Sequence, residues 1–305
     1  MLHVIYNPAS RSGNGKKVFA QAEQVLISEN IQYKAYETTG PGSAKMYARD
    51  ITSDEINDVI VVIGGDGTLN EVINGIKDYS KVTLGYVPSG SGGDFARDLK
   101  VSLDPAKAIQ SVLHPKEYKF MDVCNLTDSE FNKKFCVSAG IGYDAAVCHE
   151  TLRSKLKLIL NKFGMGKLVY LAIALKQLCT TKKHGCTLIL DDARQYKFEN
   201  FYFVATMIHR YEGGGFMFAP KAKYDDGLVD VFVAGNIPKA LILFLLPFAF
   251  NGKHTKFRGL YSYTAKKVRI VSDEKLPIHC DGEYAGVDDE LVVTVCPKKI
   301  RVITR

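Results

Sequence analysis

No stretch of this 305-residue chain is apolar for long enough to cross a bilayer as a helix. The longest strongly apolar run, Ala240 to Phe250, is interrupted by Pro247, whereas a spanning helix needs ~20 apolar residues. The N-terminus, MLHVIYNP, has neither a charged lead nor an apolar core, so no secretory signal is expected. There is no CxxC pair. The 7 cysteines, Cys124, Cys136, Cys148, Cys179, Cys186, Cys280 and Cys296, are scattered and odd in number. That argues against a disulfide scaffold or a zinc–cysteine site and fits reduced thiols in a cytosolic protein. Internal repeats, low-complexity tracts and long linkers are absent too. With 46% hydrophobic and 24% charged residues the chain is ordinary for a globular protein, which excludes wholesale disorder and fibrous repeats. At ~100–200 residues per domain its length suggests two domains, each able to bury a core.

Acidic residues are missing from two segments. Residues 151–190 hold Arg153, Lys155, Lys157, Lys162, Lys167, Lys176, Lys182 and Lys183 with no acid. Residues 231–272 hold Lys239, Lys253, Lys256, Arg258, Lys266, Lys267 and Arg269, again with no acid. The net charge of +7 therefore hides an acidic remainder that carries two basic, apolar-rich segments. Nucleic acid and an anionic membrane surface both attract such a surface, and solvated basic helix faces look the same in sequence.

What is present first is a β-α-β-α order. Leu2–Tyr6, Ile31–Tyr36, Val59–Ile63 and Val82–Val87 read as strands. The β-branched run Val59–Ile63 has the character of a buried parallel strand. Helical patterns lie between them, with Val18, Phe19, Ala22 and Val25 at helical spacing, then Ser43–Asp50, then a helix to Ile76. A parallel sheet with helices on both faces is expected. After about Asp122 the texture changes. Helices are expected over about 142–153 and 165–178, followed by strands at Thr187–Leu190, Phe201–Thr206, Leu228–Val233, Val268–Val271, Pro277–Cys280, Leu291–Cys296 and Ile300–Ile303. Successive strands predict an antiparallel, sandwich-like or barrel-like second domain. The expected division is 1–122, joined by a tail of about 297–305, against a β-rich 123–296.

Three glycine clusters follow predicted strands and open predicted helices. The strongest is Gly64-Gly65-Asp66-Gly67-Thr68-Leu69-Asn70-Glu71. Glycines let backbone approach a ligand and present N–H groups to an anion, and a following helix adds its positive end. Asp66 falls at the carboxyl end of a parallel strand, where open α/β sheets bind ligands. The other two clusters are Ser12-Gly13-Asn14-Gly15-Lys16-Lys17 and Pro88-Ser89-Gly90-Ser91-Gly92-Gly93-Asp94-Phe95-Ala96-Arg97. The Gly64 and Ser12 clusters fit neither GxxxxGK[ST] nor GxGxxG. The three loops would face one edge of the sheet.

This series, starting from Asn7-Pro8, resembles the diacylglycerol kinase catalytic domain, and in particular soluble bacterial lipid kinases of the YegS/BmrU type. Later segments continue the resemblance in order: Ser138-Ala139-Gly140-Ile141-Gly142-Tyr143-Asp144, Gly213-Gly214-Gly215 leading to Asp225-Asp226-Gly227-Leu228, and His279-Cys280-Asp281-Gly282-Glu283. It covers about residues 2 to 303. The GGDGT element alone is also similar to NAD kinases and phosphofructokinases. The resemblance implies an α/β nucleotide domain of NAD kinase/diacylglycerol kinase type, a β-rich sandwich-like lipid-substrate domain, and an ATP cleft between them. Nucleotide contacts would come from Asn7, Thr38 or Thr39, Gly64, Gly65, Asp66, Gly67, Thr68, Leu69, Asn70 and Ser91, with Glu71 beside them. Ser91 stands where the family more often has Thr, and Gly93 where it usually has Asn.

The implied reaction is transfer of the γ-phosphate of ATP to a lipid hydroxyl, with Mg2+. Such a transfer needs charge neutralised and a proton accepted. Asp66 and Asp94 are candidate catalytic Mg2+ ligands, directly or through water. Glu283 is the candidate general base. Without the resemblance, Asp281-Gly282 reads as a hairpin turn and Glu283 as a solvated side chain. Lys223 and Leu228 through their carbonyls, and Asp226 through its carboxylate, resemble the family's structural Mg2+ site. His279 is expected to be structural. The alternatives are an NAD kinase-like enzyme with a soluble substrate and a catalytically silent membrane-binding module. Expected partners are the lipid substrate and an anionic membrane surface bound peripherally from the cytoplasm. Nucleic acid is not expected, and a homodimer is left open. The apolar run 240–250 reads equally as a membrane-docking helix or as domain core. Diacylglycerol is one of several lipids whose hydroxyl would serve.

Overall fold

The computed structural model describes residues 1–53, 58–90, 93–153, 173 and 175–304. The expected helix over 165–178 falls mostly outside them, as do Ser91, Lys155, Lys157, Lys162 and Lys167. The chain divides into two compact units, Met1–Val123 with Cys296–Arg305, and Cys124–Val295.

The first unit is the expected α/β layer structure. Its strands are β1 (Leu2–Tyr6), β2 (Tyr33–Glu37), β3 (Asp58–Gly64), β4 (Val82–Pro88) and β5 (Tyr118–Met121), joined by the last strand of the chain, β15 (Ile300–Ile303). The order is β2-β1-β3-β4-β15-β5, parallel except for the β15–β5 pair. The helices are α1 (Ser10–Ser28), α2 (Ser43–Ile51), α3 (Asp66–Gly75), α4 (Asp94–Leu99) and α5 (Pro105–Leu113). Strand residues alternate between faces, so β3 feeds two cores. Val61 and Ile63 pack with Val18, Leu26 and Ile109 of α1 and α5, while Ile60 and Val62, also fully buried, point to the α2–α3 side. Burial on both faces explains why β3 is apolar without alternation.

The second unit is one antiparallel sheet of nine strands among the described residues. It contains β6 (Cys124–Thr127), β7 (Asn132–Phe135), β8 (Ser138–Gly142), β9 (His184–Leu190), β10 (Arg194–Met207), β11 (Val229–Gly235), β12 (Leu260–Ala265), β13 (Lys267–Cys280) and β14 (Glu283–Val295). Two strands expected in sequence, Val268–Val271 and Pro277–Cys280, are the two ends of β13. β10 and β13 each pair with β9 along their first part and with β8 along their second. Each has a register break at the switch, between Phe198 and Phe201 and between Val271 and Leu276. Such bulges bend a strand and let one sheet fold over its own core. Leu188, Val204, Val231, Ile270, Ile278 and Leu291 fill that core.

Helix α6 (Tyr143–Arg153) and helix α7 (Lys239–Ala249) belong to this unit. Ile242 and Leu245 of α7 pack with Phe203, Phe232 and Val147 in a second core on the outer face of β10 and β11. The other side of α7 is apolar but exposed, with Leu243 38%, Phe244 61% and, just beyond the helix, Phe250 46% accessible. The run 240–250 thus has one face in the core and another in solvent.

His254 is buried beside this second core, its ring 6.0 Å from that of Phe218 and 5.2 Å from that of Phe232. Burial pushes its pKa down to about 4, against ~6.5 for a free imidazole. The unfolded chain therefore takes up a proton between these values that the folded chain does not. Stability is lost as pH falls from 6.5 towards 4, by up to about 3 kcal/mol. The expected outcome is a melting temperature that drops between about pH 7 and about pH 5, with a shallower drop in His254→Phe. Parallel pH profiles for the two proteins would contradict this assignment.

Candidate functional site

Because β1, β2, β3 and β4 are parallel neighbours, the loops that leave them lie along one edge of the sheet. Sequence alone pointed to the loops after β1, β3 and β4 as glycine-rich. The structure links all four by hydrogen bonds. The backbone N–H of Asn7 donates to the carbonyl of Ile63 at 2.9 Å, and its side-chain amide donates to Thr68 Oγ1 at 3.1 Å. Thr38 N–H donates to the Tyr6 carbonyl at 2.9 Å. Ser10 and Ser89 share a buried hydroxyl contact of 2.6 Å, and Ser89 N–H donates to the Gly64 carbonyl at 2.9 Å.

Two glycines make this closeness sterically possible. A Cβ on Gly90 would lie 2.6 Å from the Cα of Gly65, so the β3 and β4 loops touch backbone to backbone. A Cβ on Gly15 would lie 1.9 Å from the Asn7 carbonyl oxygen, so α1 packs directly on the end of β1.

Asp66 opens α3, and its Oδ2 accepts from Gly93 N–H at 3.1 Å. Gly93 has φ +69 and immediately precedes Asp94. That left-handed conformation is favoured by Gly and tolerated by Asn, so the departure from the family's usual Asn keeps the backbone turn. Asp94 is buried and its Oδ1 accepts from Arg97 Nη1 at 2.7 Å. The Asp66–Gly93 bond ties the two carboxylate-bearing loops together. Oxygen donors on two adjacent loops are a set that suits Mg2+.

Other predicted residues are placed differently from one another. Leu69 is fully buried in the core. Asn70 accepts from the side-chain amide of Asn74. Glu71 uses both carboxylate oxygens on backbone N–H groups, Oε1 from Gly42 at 2.9 Å and Oε2 from Ala44 at 3.1 Å. It fastens the turn that follows Thr38 and Thr39 onto α3, and it neutralises orphan donors at the start of α2.

In the second unit Asp281 and Gly282, with φ +48 and +77, form a two-residue hairpin between β13 and β14. Glu283 is the first residue of β14 and is exposed. Asp281 does far more than turn the chain. Its buried carboxylate accepts from the backbone N–H groups of Cys136 at 3.0 Å, Val137 at 2.8 Å and Ser138 at 3.0 Å. The tip that carries Glu283 is thereby clamped to the start of β8. Sequence reading missed this role because the partners lie about 145 residues away. The only local signal was the Asp-Gly pair.

Around the Lys223-to-Leu228 stretch, Asp226 Oδ1 accepts from Leu228 N–H at 3.0 Å across Gly227 at φ +74. Asp230, not foreseen from sequence, is buried nearby, and burial together with the Asp226 carboxylate pushes its pKa up to about 6. The Asp226 carboxylate in a glycine turn, with the Asp230 carboxylate close by at the start of β11, is an oxygen donor set that fits a hard cation. An apolar cavity lies in the same unit, lined by Phe203, Phe216, Phe232, Ile242 and Leu245, with Asp144 and Glu212 in its wall.

With this geometry in view, the comparisons are direct. The diacylglycerol kinase catalytic domain model matches residues 1–126, and the model of the YegS C-terminal NAD kinase beta sandwich-like domain matches residues 137–304. The chain belongs to the diacylglycerol kinase family. A Bacillus subtilis (strain 168) protein named "Putative lipid kinase YtlR" is 30% identical over 287 residues, spanning 92% of this chain and 93% of its own. A protein of the same organism named diacylglycerol kinase is 28% identical over 286 residues, spanning 93% and 90%. The crystal structure of a "putative diacylglycerol kinase" from Bacillus anthracis str. Sterne shares the fold, with a TM-score of 0.78 at 22% identity over 100% of this chain and 95% of that one.

The Asp281 clamp has a measurable consequence. Asp281→Asn keeps the size but leaves one acceptor oxygen facing three N–H donors. The variant should lose on the order of 2 kcal/mol of stability, the cost of buried unpaired donors. Denaturant unfolding indistinguishable from wild type would contradict the clamp.

Proposed function

We propose that the chain transfers the γ-phosphoryl group of ATP to a lipid hydroxyl, on diacylglycerol or a related lipid, at a membrane surface. The observation that carries this reading is the hydrogen-bonded junction of the Asn7, Thr38, Gly64–Thr68 and Ser89–Gly90 loops at the carboxyl edge of a parallel sheet, in a member of the diacylglycerol kinase family. Backbone N–H groups and the start of α3 are suited to polyphosphate. The lipid side of the reading draws on the relatives' names and on the apolar cavity of the second unit.

In this reading Asn7, Thr38, Thr39, the Gly64–Glu71 segment and Ser91 form the nucleotide side. Glu71 acts there by holding the α2 turn. Asp66 and Asp94 hold Mg2+, directly or through water, and Asp226 with the Lys223 and Leu228 carbonyls holds a structural Mg2+. When bound, the catalytic ion offsets the negative charge of the transferred phosphoryl group. Glu283 accepts the proton of the lipid hydroxyl. Its exposure suits a group that must meet a substrate from outside, and the Asp281 clamp fixes its backbone. Peripheral attachment uses the exposed apolar face of α7 and the exposed cations Lys253, Lys256 and Arg258 that follow it. No helix among the described residues is long and apolar enough to cross a membrane.

A radiolabelled-ATP assay over a panel of lipids in mixed micelles should show Mg2+-dependent lipid phosphorylation. NAD phosphorylation without lipid phosphorylation would sink the reading. Glu283→Gln should lower turnover by ~10²–10⁴-fold with unchanged melting, since an amide cannot accept the proton. Near wild-type turnover would reject Glu283 as base. Vesicle binding should rise with anionic lipid and fall with salt. It should also weaken when Lys253, Lys256 and Arg258 become Gln, because each such cation contributes ~1 kcal/mol near an anionic surface. Salt-independent binding that ignores those substitutions would rule out docking through this face.

A further inference from the structure

Behind the β13–β14 hairpin lies a cluster that the kinase reading does not use. Helix α6 supplies Asp144 and, one turn later on the same face, Cys148. β13 supplies His279, and the segment after β10 supplies Glu212. All four are buried: His279 is 0% exposed, Glu212 5%, Cys148 6% and Asp144 7%. His279 Nε2 is 3.2 Å from Asp144 Oδ2 and 3.1 Å from Glu212 Oε1. Donor atoms of Cys148, Glu212 and His279 all lie within 4.8 Å of one another. A Cβ on Gly140 would come within 2.3 Å of Asp144 Oδ2 and 2.6 Å of His279 Nε2, so the cluster rests on bare backbone.

The cluster has unused ligand capacity, because buried polar groups are ordinarily hydrogen-bonded or bound to a metal. Glu212 Oε2 and His279 Nδ1 are buried and have no hydrogen-bond partner. We infer that Cys148, His279 and Glu212, with Asp144 beside the imidazole, form a binding site for a borderline divalent cation, Zn2+ in the first instance. One sulfur, one nitrogen and one carboxylate oxygen converging from three segments leave a fourth position for water, which matches the four-coordinate preference of Zn2+. A thiolate and an imidazole are poor ligands for Mg2+, which separates this site from those of the kinase reading. Asp144 and Glu212 also lie in the wall of the apolar cavity. Spacing rules did not reveal the site because a single cysteine contributes and the other ligands are distant in sequence. The bound ion would pin α6 to β13 close to the hairpin that carries Glu283. The inference is independent of whether the chain phosphorylates lipid.

The test uses the full-length chain, freed of metal by a chelator and titrated with Zn2+ and Co2+ under excess Mg2+. One equivalent should bind and raise the melting temperature, and the Co2+ form should show a thiolate-to-metal charge-transfer absorption. Cys148→Ser should lose that absorption and bind at least about tenfold more weakly. Glu212→Gln should weaken binding to a similar degree while keeping the absorption. Failure to bind an equivalent overturns the inference, as does an unchanged affinity and spectrum in Cys148→Ser. Since Ser differs by one atom and Gln is isosteric with Glu, melting curves of the metal-free variants show directly whether each has folded.

Discussion

Gly65 and Gly90 meet backbone to backbone, and the carboxyl edge of the six-stranded sheet is built on that contact. With no side chain between them, the β3 and β4 loops close to a distance at which Asp66 can reach across to Gly93 N–H. The same edge is drawn in from the other side by Asn7, whose backbone bonds Ile63 while its amide bonds Thr68. Each bond is of ordinary strength, and a single one contributes only ~1 kcal/mol net. Their effect is cooperative because all lie on loops anchored by strands with fully buried cores. A rigid edge of backbone donors is what an anionic ligand requires, since donors that need no rearrangement cost little to use.

The second unit solves a similar positioning problem by a different route. A hairpin tip projecting from a sheet is normally free to fray. Here the carboxylate of Asp281 gathers three consecutive N–H groups from the segment entering β8, and the Asp281 N–H returns a bond to the Ser138 carbonyl at 2.7 Å. β8 is itself inserted between β10 and β13. The position of Glu283 therefore depends on the bulges that let the long strands change partner from β9 to β8. Packing, not local propensity, is the link between the fold and this acid.

Much of this was legible in sequence and some was not, for definable reasons. Val59–Ile63 announced β3 because burial on both faces demands a continuous β-branched run. The glycine loops announced the carboxyl edge because backbone contact demands glycine at several positions together. β6, β7 and β8 did not announce themselves. They are four or five residues long, and Ser138-Ala139-Gly140-Ile141-Gly142 is mostly small residues of low strand propensity. Those small residues are required because Asp144, His279 and the Tyr202 carbonyl crowd against Gly140 and Gly142. The partners of Glu71 lie 29 and 27 residues away and those of Asp281 about 145, so no periodicity could expose them.

Helix α7 shows why a composition argument can leave two readings open when both describe part of the molecule. An amphipathic helix separates apolar from polar residues by face. In α7 the run from Ala240 to Phe250 contains no polar residue at all, so sequence cannot say which face is inside. The structure buries Ile242, Leu245 and Ala249 at helical spacing and leaves Leu243, Phe244 and Phe250 outside. Core packing alone would permit polar residues at the outer positions. Water does not reward apolar side chains there, and Lys253, Lys256 and Arg258 follow directly, all exposed. An exposed apolar face followed by cations is a different pattern from the polar outer face of an ordinary amphipathic helix. Two requirements therefore act on one helix: the spacing of Ile242, Leu245 and Ala249 answers to the core, whereas Leu243, Phe244 and Phe250 answer to something other than the packing of their own unit.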